Sequence, residues 1–421
     1  MDYLCHVKRK IETEVTVIGG GTAGVFAAIA SARTGAKTYL IEKNGMLGGT
    51  MTVANVNFPG LFFAWGKQII DGPCWEAVKR TEALGGAVIP EISYAPVCHW
   101  HEQIRLDRFI YTCVLDEMCH ESGVNILKHA MISDAVETDD NIQLLVTGKE
   151  GLILITSKIV VDATGDADLI RILGYPCIKS MPQQPATLQN HLSGYQLSEV
   201  DTGELMRRFQ EKCMHGLPAY ITAQTLMNYL DCAKIDIHVT CVDADTSEGK
   251  TILEYDAFKL ILGVYKFLRS VHGLENIKID FVAEETGVRE TNRIVGEKTI
   301  TAADYVAGIS YPDAVCYAFY PIDLHVETGI EQTFLADDIV PAIPYGALIP
   351  KNSKRVLCAG RCISSDQYAN SAIRVQATCM AAGQAAGCAA ALSVSAGASV
   401  KDLDYRALSD ALKAIGAIVP A

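Results

Sequence analysis

The sequence predicts an α/β fold in which a Rossmann-like cofactor domain, a parallel sheet plus a small antiparallel β-meander, is interrupted by an inserted α+β substrate domain. Residues 14–42 have the pattern of strand, glycine-rich turn, helix and second strand that begins such a domain. Another short strand-like run with a glycine at its end occurs at residues 354–361, after a long stretch in which helical and strand-like segments alternate. We therefore expect residues 1–174 and 340–421 to form the discontinuous cofactor domain and residues 175–339 the inserted one.

The glycine-rich turn predicts a dinucleotide site. Gly19, Gly21 and Gly24 have the G-x-G-x-x-G spacing. In such turns the first glycine permits the sharp bend, the second lets a pyrophosphate approach the backbone, and the third lets the helix pack on the strands. Glu42 lies eighteen residues after Gly24, near the separation of about 20 expected for the acid that accepts ribose hydroxyls.

The segment after the first two strands contains a second glycine pair and two predicted helices. Adjacent glycines at residues 48 and 49 allow the backbone to pass close to a ligand. Residues 71–84 are predicted as a helix capped by Asp71. Residues 105–122 are predicted as an amphipathic helix with Phe109 near its apolar face, ended by Gly123.

The middle of the chain alternates between strand and helix signals. Residues 126–157 predict the antiparallel meander, beginning with the run at 124–129. The strand at 158–162 ends in small residues that can lie against a cofactor. A helix is predicted over residues 256–272, and strands over 277–284 and 313–323. Residues 377–398 are almost uncharged, but Gln384 and the Gly383/Gly387 pair favour a buried helix over a membrane span.

Composition narrows the class of protein. With 421 residues, 49% of them hydrophobic, the chain can bury a sizeable core. A formal charge of −13 argues against a nucleic-acid surface. The fourteen cysteines include no C-x-x-C pair, so neither a redox disulfide nor an iron–sulfur or zinc site is predicted. The N-terminus shows no signal-peptide pattern, and free thiols indicate the cytoplasm.

Several stretches together resemble one family, the FAD-dependent oxidoreductases of the glutathione-reductase-type fold, and more narrowly the flavoproteins related to fumarate reductase and thiazole biosynthesis. The resemblance rests on the Gly19–Gly24 turn with Glu42, the glycine pair, and the segments at residues 163–166, 287–296, 320–325, 343–348, 359–361 and 374–387. It covers most of the chain and is weakest over residues 186–275.

The resemblance implies FAD, and so many separate contact points exceed what NAD usually needs. The FAD is expected to be noncovalent, because no histidine lies near residues 49–52, where the succinate dehydrogenase flavoproteins place their covalently linked one. The resemblance also implies that the last helix directs its positive end, with amides of residues 375–378, at the flavin ring. The expected cofactor contacts are Gly19, Gly21, Thr22, Ala23, Gly24, Glu42, Lys43, Gly48, Gly49, Thr50, Met131, Ala163, Thr164, Gly165, Asp166, Gly360, Arg361, Arg374, Val375 and Gln376. Asp366 is a further candidate, and a helix N-cap is the alternative for both Asp166 and Asp366. Arg361 could face the flavin, a substrate or an internal carboxylate.

The expected activity is hydride transfer between a small organic substrate and the flavin N5. His325 is the candidate for proton transfer, Arg289 for binding a substrate carboxylate, and Tyr345 for binding a substrate oxygen. Tyr320 is an alternative to Tyr345. A structural ion-pair network is the alternative for Arg289.

The expected partners are a small-molecule substrate, with a carboxylate as one candidate, and an electron acceptor or donor of unspecified kind. No nucleic acid and no membrane are expected, and a homo-oligomer is a candidate assembly. No metal is predicted, because His99 and His101 have i, i+2 spacing without a third ligand. A tRNA-modifying flavoprotein and an NAD-binding protein without flavin are the alternative functions.

Overall fold

The structure is a computed structural model and describes residues 6–92, 103–211, 221–326 and 329–421. In chain order its strands are β1 (Val7–Ile18), β2 (Thr38–Glu42), β3 (Phe63–Ala64), β4 (Lys67–Gln68), β5 (Asn125–Lys128), β6 (Met131–Glu137), β7 (Ile142–Gly148), β8 (Gly151–Asp162), β9 (Cys177–Lys179), β10 (Ala186–Thr187), β11 (Asn190–Ser193), β12 (His238–Val239), β13 (Lys278–Val282), β14 (Asn292–Ile294), β15 (Ala314–Tyr317), β16 (Ile322–Val326), β17 (Gly329–Thr333), β18 (Ala342–Pro344) and β19 (Val356–Cys358).

The helices frame these strands. They are α1 (Thr22–Arg33), α2 (Pro73–Ala83), α3 (Arg108–Glu121), α4 (Asp168–Ile172), α5 (Thr202–Glu211), α6 (Ala223–Asp231), α7 (Ser247–Leu268), α8 (Ala302–Ala307), α9 (Gln367–Ile373), α10 (Gln376–Ala396) and α11 (Tyr405–Ala414).

A parallel sheet brings the carboxyl ends of its strands to one edge. Its strand order is β5-β2-β1-β8, and β19 also pairs with β8. Ile18 at the end of β1 is in register with Ile41 of β2 and Asp162 of β8. The loops that leave these strands therefore start side by side, which is where α/β sheets bind ligands. The α/β fold with a mostly parallel sheet is as predicted.

The antiparallel meander is smaller than the sequence suggested. Strands β6, β7 and β8 form it, but β5 lies on the other side of the sheet, parallel to β2, with Leu40 opposite Ile126. The prediction that residues 124–129 open the meander was therefore wrong. The local sequence of a short apolar strand does not distinguish parallel from antiparallel pairing. The pairing direction of β5 follows from the chain connection through α3.

Helices α1 and α10 pack backbone against backbone beneath the sheet edge. A Cβ on Gly383 would lie 2.2 Å from the Ala23 carbonyl oxygen, and one on Gly387 would lie 2.1 Å from that of Ala27. Helix α10 is the one helix in the described ranges with the length and composition to cross a membrane, yet 89% of its apolar window is buried inside the protein. This packing agrees with the buried helix that the sequence predicts.

Several predicted boundaries shift. Helix α2 starts after Gly72, and Asp71 does not cap it. In α3, capped by Asp107, Phe109 is 69% exposed rather than buried. Helix α7 begins nine residues earlier than residue 256 because Thr246 caps it and its oxygen accepts from the Gly249 N–H. Residues 313–323 form parts of two strands, β15 and β16, rather than one.

The chain has a second hydrophobic cluster away from the sheet. It consists of buried residues between Ala186 and Ala283, many of them from α6 and α7. Residues between Ile300 and Ile322, by contrast, pack into the same cluster as α1 and α10. The division into domains at residues 174 and 340 stays a prediction.

Candidate functional site

A cavity of about 700 Å³ runs along the carboxyl edge of the sheet. All the predicted cofactor contacts except Gly24 and Gly48 line it, and so do His325 and Arg289. A cavity of this size is in the usual range for ligand sites, about 300–1,000 Å³. The sheet thus gathers residues that are more than 300 positions apart in the chain into one site.

The three glycines of the first turn have different environments. Gly19 has φ +96°, and a Cβ there would lie 2.5 Å from the Ala163 carbonyl oxygen; a Cβ on Gly24 would lie 1.8 Å from that of Gly19. These two glycines are needed for the turn to pack. Gly21 differs, because a Cβ there would meet only the Gly49 Cα, at 3.9 Å. Its open side belongs to the cavity, where a pyrophosphate would approach the backbone.

The second glycine pair closes on the first turn. The Gly48 N–H donates to the Gly20 carbonyl at 2.8 Å. A Cβ on Gly49 would lie 2.8 Å from the Gly21 Cα. Thr22 Oγ1 is 3.2 Å from the Gly48 carbonyl oxygen and 3.0 Å from Gln376 Oε1. Gly48 therefore shapes the cavity without lining it.

Glu42 is held at the end of β2 by backbone donors. Its two carboxylate oxygens accept from the N–H groups of Gly20 and Asn44, each at 2.7 Å. Burial raises the pKa of Glu42 although these hydrogen bonds oppose the shift. Lys43 beside it pairs with Glu285 at 2.9 Å. The acid expected to accept ribose hydroxyls is thus fixed in orientation at the cavity wall.

Arg361 binds an internal carboxylate. Its guanidinium donates to Asp166 and to the carbonyl oxygens of Gly165 and Val288. Asp166 also accepts from Thr291 Oγ1 at 2.6 Å. Of the three possibilities that the sequence left open for Arg361, the structure shows the internal ion pair, and the residue also lines the cavity. It ties the end of β8 to the loop after β19.

The N-terminus of α10 meets the same cavity. Val375 and Gln376 line it, and Gln376 Nε2 donates to the Val56 carbonyl at 2.6 Å. The Ala377 N–H, expected among the cofactor-facing amides, instead donates to the Pro59 carbonyl at 2.7 Å. Asp366 is the N-cap of α9, accepting from the Ala369 N–H, so the helix-cap alternative for Asp366 is the correct one.

The far end of the cavity contains a histidine–aspartate pair. His325 Nε2 lies 3.1 Å from Asp323 Oδ2, and Asp323 Oδ1 accepts from Gln332 Nε2 at 2.9 Å. Burial acts to raise the pKa of Asp323, but the hydrogen bonds from His325 and Gln332 outweigh it and lower that pKa to about 2. With Asp323 accepting from Nε2–H, the neutral ring has its lone pair on Nδ1. This nitrogen is buried and has no hydrogen-bond partner among the described residues.

His325 is held neutral at ordinary pH. Burial lowers its pKa below 6.5, and the charges of Arg289 and Arg374 lower it further, while Asp323 opposes them. His238 packs edge-on against it, with ring centroids 5.0 Å apart. Burial and the Arg289 charge lower the pKa of His238 to about 4. A neutral imidazole with an unshared pair is the form that accepts a proton.

Arg289 and Arg374 are anchored by one short segment. Arg289 Nη1 donates to the Pro185 carbonyl and Thr187 Oγ1, at 2.5 and 3.2 Å. Arg374 Nη2 donates to Gln184 Oε1 at 3.2 Å. Neither guanidinium forms an ion pair with a carboxylate in the part of the chain that the structure describes, so the predicted network alternative does not apply to Arg289. Arg293 is the residue with that structural role, fully buried beside Glu290 at 3.5 Å.

One predicted substrate-binding residue, Tyr345, lies away from the cavity. Tyr345 does not line the cavity, because its hydroxyl donates to the Val400 carbonyl at 2.8 Å inside the core. Tyr345 therefore does not share the cavity that His325 and Arg289 line. Tyr320, the alternative, does line the cavity. His99 and His101 fall outside the described residues.

Sequence reasoning overlooked Asp323, Gln184 and His238. The first had a usable signal: Asp323 and His325 are two apart on a strand, and alternate residues share one face. Gln184 and His238 carry no such signal, since each reaches the site from a separate, short and irregular segment.

The comparisons with known proteins place the chain in a family. The family model of FAD-dependent oxidoreductases matches residues 14–412, and the chain belongs to this family. The thiamine thiazole synthase of Methanococcus vannielii is 25% identical over 173 residues, 39% of this chain and 60% of that protein. The mitochondrial dihydrolipoyl dehydrogenase of Mus musculus is 56% identical over 45 residues, 11% of this chain and 9% of that protein.

A solved structure is also similar. It is a geranylgeranyl bacteriochlorophyll reductase-like protein from Thermoplasma acidophilum, 12% identical, with 96% of this chain and 83% of that chain covered at a TM-score of 0.49. The chain spans less than two thirds of the length of the curated relatives that it matches.

The cofactor is FAD, and the residues present fit it. The open side of Gly21, the fixed carboxylate of Glu42 and the start of α10 are spread along one cavity. In such a cavity Gly21 would face the pyrophosphate, Glu42 the adenosine ribose, and the start of α10 the flavin ring. FAD would supply the redox chemistry that protein side chains cannot.

Proposed function

We propose that the protein transfers a hydride between a small organic substrate and the flavin N5, and that His325 exchanges the accompanying proton with the substrate. The observation that supports this most directly is the His325–Asp323 pair at the far end of the cofactor cavity, with Nδ1 unpaired among the described residues. FAD bound in this cavity would supply the hydride acceptor or donor.

In the oxidative direction the substrate loses two bonds to hydrogen. The C–H hydrogen leaves with its electron pair to the flavin, while the neighbouring O–H or N–H proton goes to His325 Nδ1. A carbon–oxygen or carbon–nitrogen double bond forms, so atoms and electrons balance. Asp323 holds the ring in the tautomer that can accept this proton and stabilises the imidazolium that results. The reductive direction uses the same groups in reverse.

Burial supports this role. The side chains of His325 and Asp323 are each only 12% exposed. Within a nearly dry site, the charge that develops on the imidazole interacts strongly with the fixed carboxylate. Reoxidation by an acceptor of unspecified kind, noncovalent FAD and a cytoplasmic location complete the proposal.

The test is anaerobic reduction of the FAD-loaded protein. Candidate substrates are screened for bleaching of the flavin spectrum without oxygen or a nicotinamide donor, and a compound that bleaches it identifies a dehydrogenase reaction. Flavin that is reduced only by a nicotinamide donor, followed by consumption of oxygen, would indicate a monooxygenase and overturn the proposal.

A matched pair of variants tests the proton transfer. His325→Ala should slow flavin reduction about 10²- to 10⁴-fold, the usual contribution of a positioned acid or base, with FAD content unchanged. His191→Ala removes a similar but exposed pair, in which Nδ1 lies 2.8 Å from Asp280, and should leave the rate unchanged. Equal rates in both variants would remove His325 from the mechanism.

A further inference from the structure

We infer that the far end of the cavity binds the carboxylate of an organic acid through Arg289 and Arg374 together. The inference rests on the proposed function and narrows its substrate to acids in which the oxidised carbon lies next to the carboxylate. It also moves Arg374 from the expected cofactor contacts to the substrate contacts.

Arg289 presents an unused edge. It donates only from Nη1, to the Pro185 carbonyl and Thr187 Oγ1. Its Nε and Nη2 have no acceptor in the described ranges of the chain, although the residue lines the cavity. A guanidinium edge with two parallel N–H groups matches the two oxygens of a carboxylate.

Arg374 presents a second set of donors beside it. Nη2 donates to Gln184 Oε1 and, at 3.4 Å, to the Asp323 carbonyl. Nε is buried and lacks a partner among the residues described, and so does Gln184 Nε2, in a side chain only 1% exposed. Buried donors without acceptors are rare in folded proteins. Because Arg374 lines the same cavity as Arg289, whereas Gln184 does not, a ligand bound in the cavity is the candidate acceptor for the remaining guanidinium N–H groups.

The carboxylates near the two arginines already have other partners. Asp323 is engaged by His325 and Gln332, and Asp236 pairs with Lys234 at 2.9 Å. Glu290 serves Arg293 and the Gln184 N–H. Among the residues that the structure describes, no carboxylate pairs with either of these two largely buried guanidinium groups, which is costly unless a bound anion completes the pairing.

The position of the acid relative to His325 follows from Gln184. Its Oε1 accepts both from Arg374 Nη2 and from the His325 N–H, each at 3.2 Å. Arg374 and the backbone of His325 are thus held by the same amide oxygen. A carboxylate held by the arginines places the adjacent carbon, with its hydroxyl or amino group, nearest to His325. This arrangement fits 2-hydroxy and 2-amino acids.

Acetate and acetamide separate charge recognition from shape. Each is titrated into the FAD-loaded protein, and the flavin absorbance change and calorimetric heat are recorded. Acetate should bind saturably and acetamide should not. Equal behaviour of the two compounds, including no binding by either, would overturn the inference.

Single substitutions identify the contacts. Arg289→Gln and Arg374→Gln should each weaken acetate binding about ten- to a hundredfold, the usual loss of a charge-assisted contact. Arg289→Lys and Arg374→Lys, which keep the charge but lose the fork, should recover part of it. Arg406→Gln, on the exposed face of α11, is the control and should bind acetate normally. FAD content confirms that each variant is folded.

Two results distinguish this inference from the proposed function. If an uncharged compound bleaches the flavin and no acid does, the carboxylate site is wrong while hydride transfer stands. If acetate binds as expected but no compound in the screen reduces the flavin, hydride transfer fails while the anion site stands. An Arg374→Gln variant that alters the flavin reduction potential but binds acetate normally would assign that arginine to the cofactor instead.

Discussion

Replacing Gly21 by alanine should separate cofactor binding from folding. The added methyl meets no protein atom closer than the Gly49 Cα at 3.9 Å, and the backbone at Gly21 has φ −77° and ψ −167°, which alanine adopts without strain. The apoprotein should therefore keep its free energy of unfolding to within about 0.5 kcal/mol. In the FAD complex the methyl occupies the space of the pyrophosphate. Overpacking by one methyl costs about 1–3 kcal/mol, so the FAD dissociation constant should rise about 5- to 150-fold.

The assay combines flavin fluorescence titration with denaturant unfolding of the apoprotein. Gly24→Ala is the matched comparison, because its methyl would lie 1.8 Å from the Gly19 carbonyl oxygen and should destabilise the apoprotein itself. A Gly21→Ala protein that binds FAD with wild-type affinity would refute the placement of the pyrophosphate on this turn. So would a loss of apoprotein stability as large as that of Gly24→Ala.

Three further predictions concern the packing, the site chemistry and the ribose contact. Gly383→Ala brings a methyl to 2.2 Å from the Ala23 carbonyl oxygen and should destabilise the protein by about 1–3 kcal/mol in denaturant unfolding. The control Gly203→Ala, on the exposed start of α5, should not be destabilised in this way. Equal stabilities of the two variants would contradict the α1–α10 packing. The rate of anaerobic flavin reduction should be flat above pH 6.5 and fall below it, because only the neutral His325 ring accepts a proton. Burial and the charges of Arg289 and Arg374 lower the pKa of that ring. A midpoint above pH 6.5, or the same fall in rate at low pH in His325→Ala, would contradict this assignment. Glu42→Gln should weaken FAD binding about 5- to 150-fold in the same titration, because an amide NH₂ would face the Gly20 or Asn44 N–H at a loss of about 1–3 kcal/mol. The control Glu150→Gln, in the exposed meander, should bind FAD normally. Equal FAD affinities of the two variants would remove Glu42 from the site.

The sequence predicted best what is encoded locally. The turn at Gly19, the acid at Glu42 and the small residues of α10 each have a short-range pattern with a physical reason behind it. Because strands in a parallel sheet end at one edge, these patterns also predicted which residues would meet. The order of strands was harder, as β5 shows, since pairing depends on connections rather than on the strand itself.

The substrate end of the site was only partly predictable. His325 and Arg289 stood out as residue types, but their partners Asp323 and Gln184 are defined by three-dimensional contact. Tyr345 shows the opposite case: its hydroxyl made it a candidate for binding a substrate oxygen, whereas that hydroxyl donates to the Val400 carbonyl in the core. A hydrogen bond between residues 55 positions apart leaves no trace in the local sequence.

The most direct test of the account is the anaerobic titration of the FAD-loaded protein with 2-hydroxy and 2-amino acids, each paired with its amide. The account predicts that at least one acid bleaches the flavin, that its amide does so far more slowly, and that His325→Ala abolishes most of the rate while retaining FAD. Bleaching that is equally fast with an acid and its amide, or that survives the loss of His325, would contradict it.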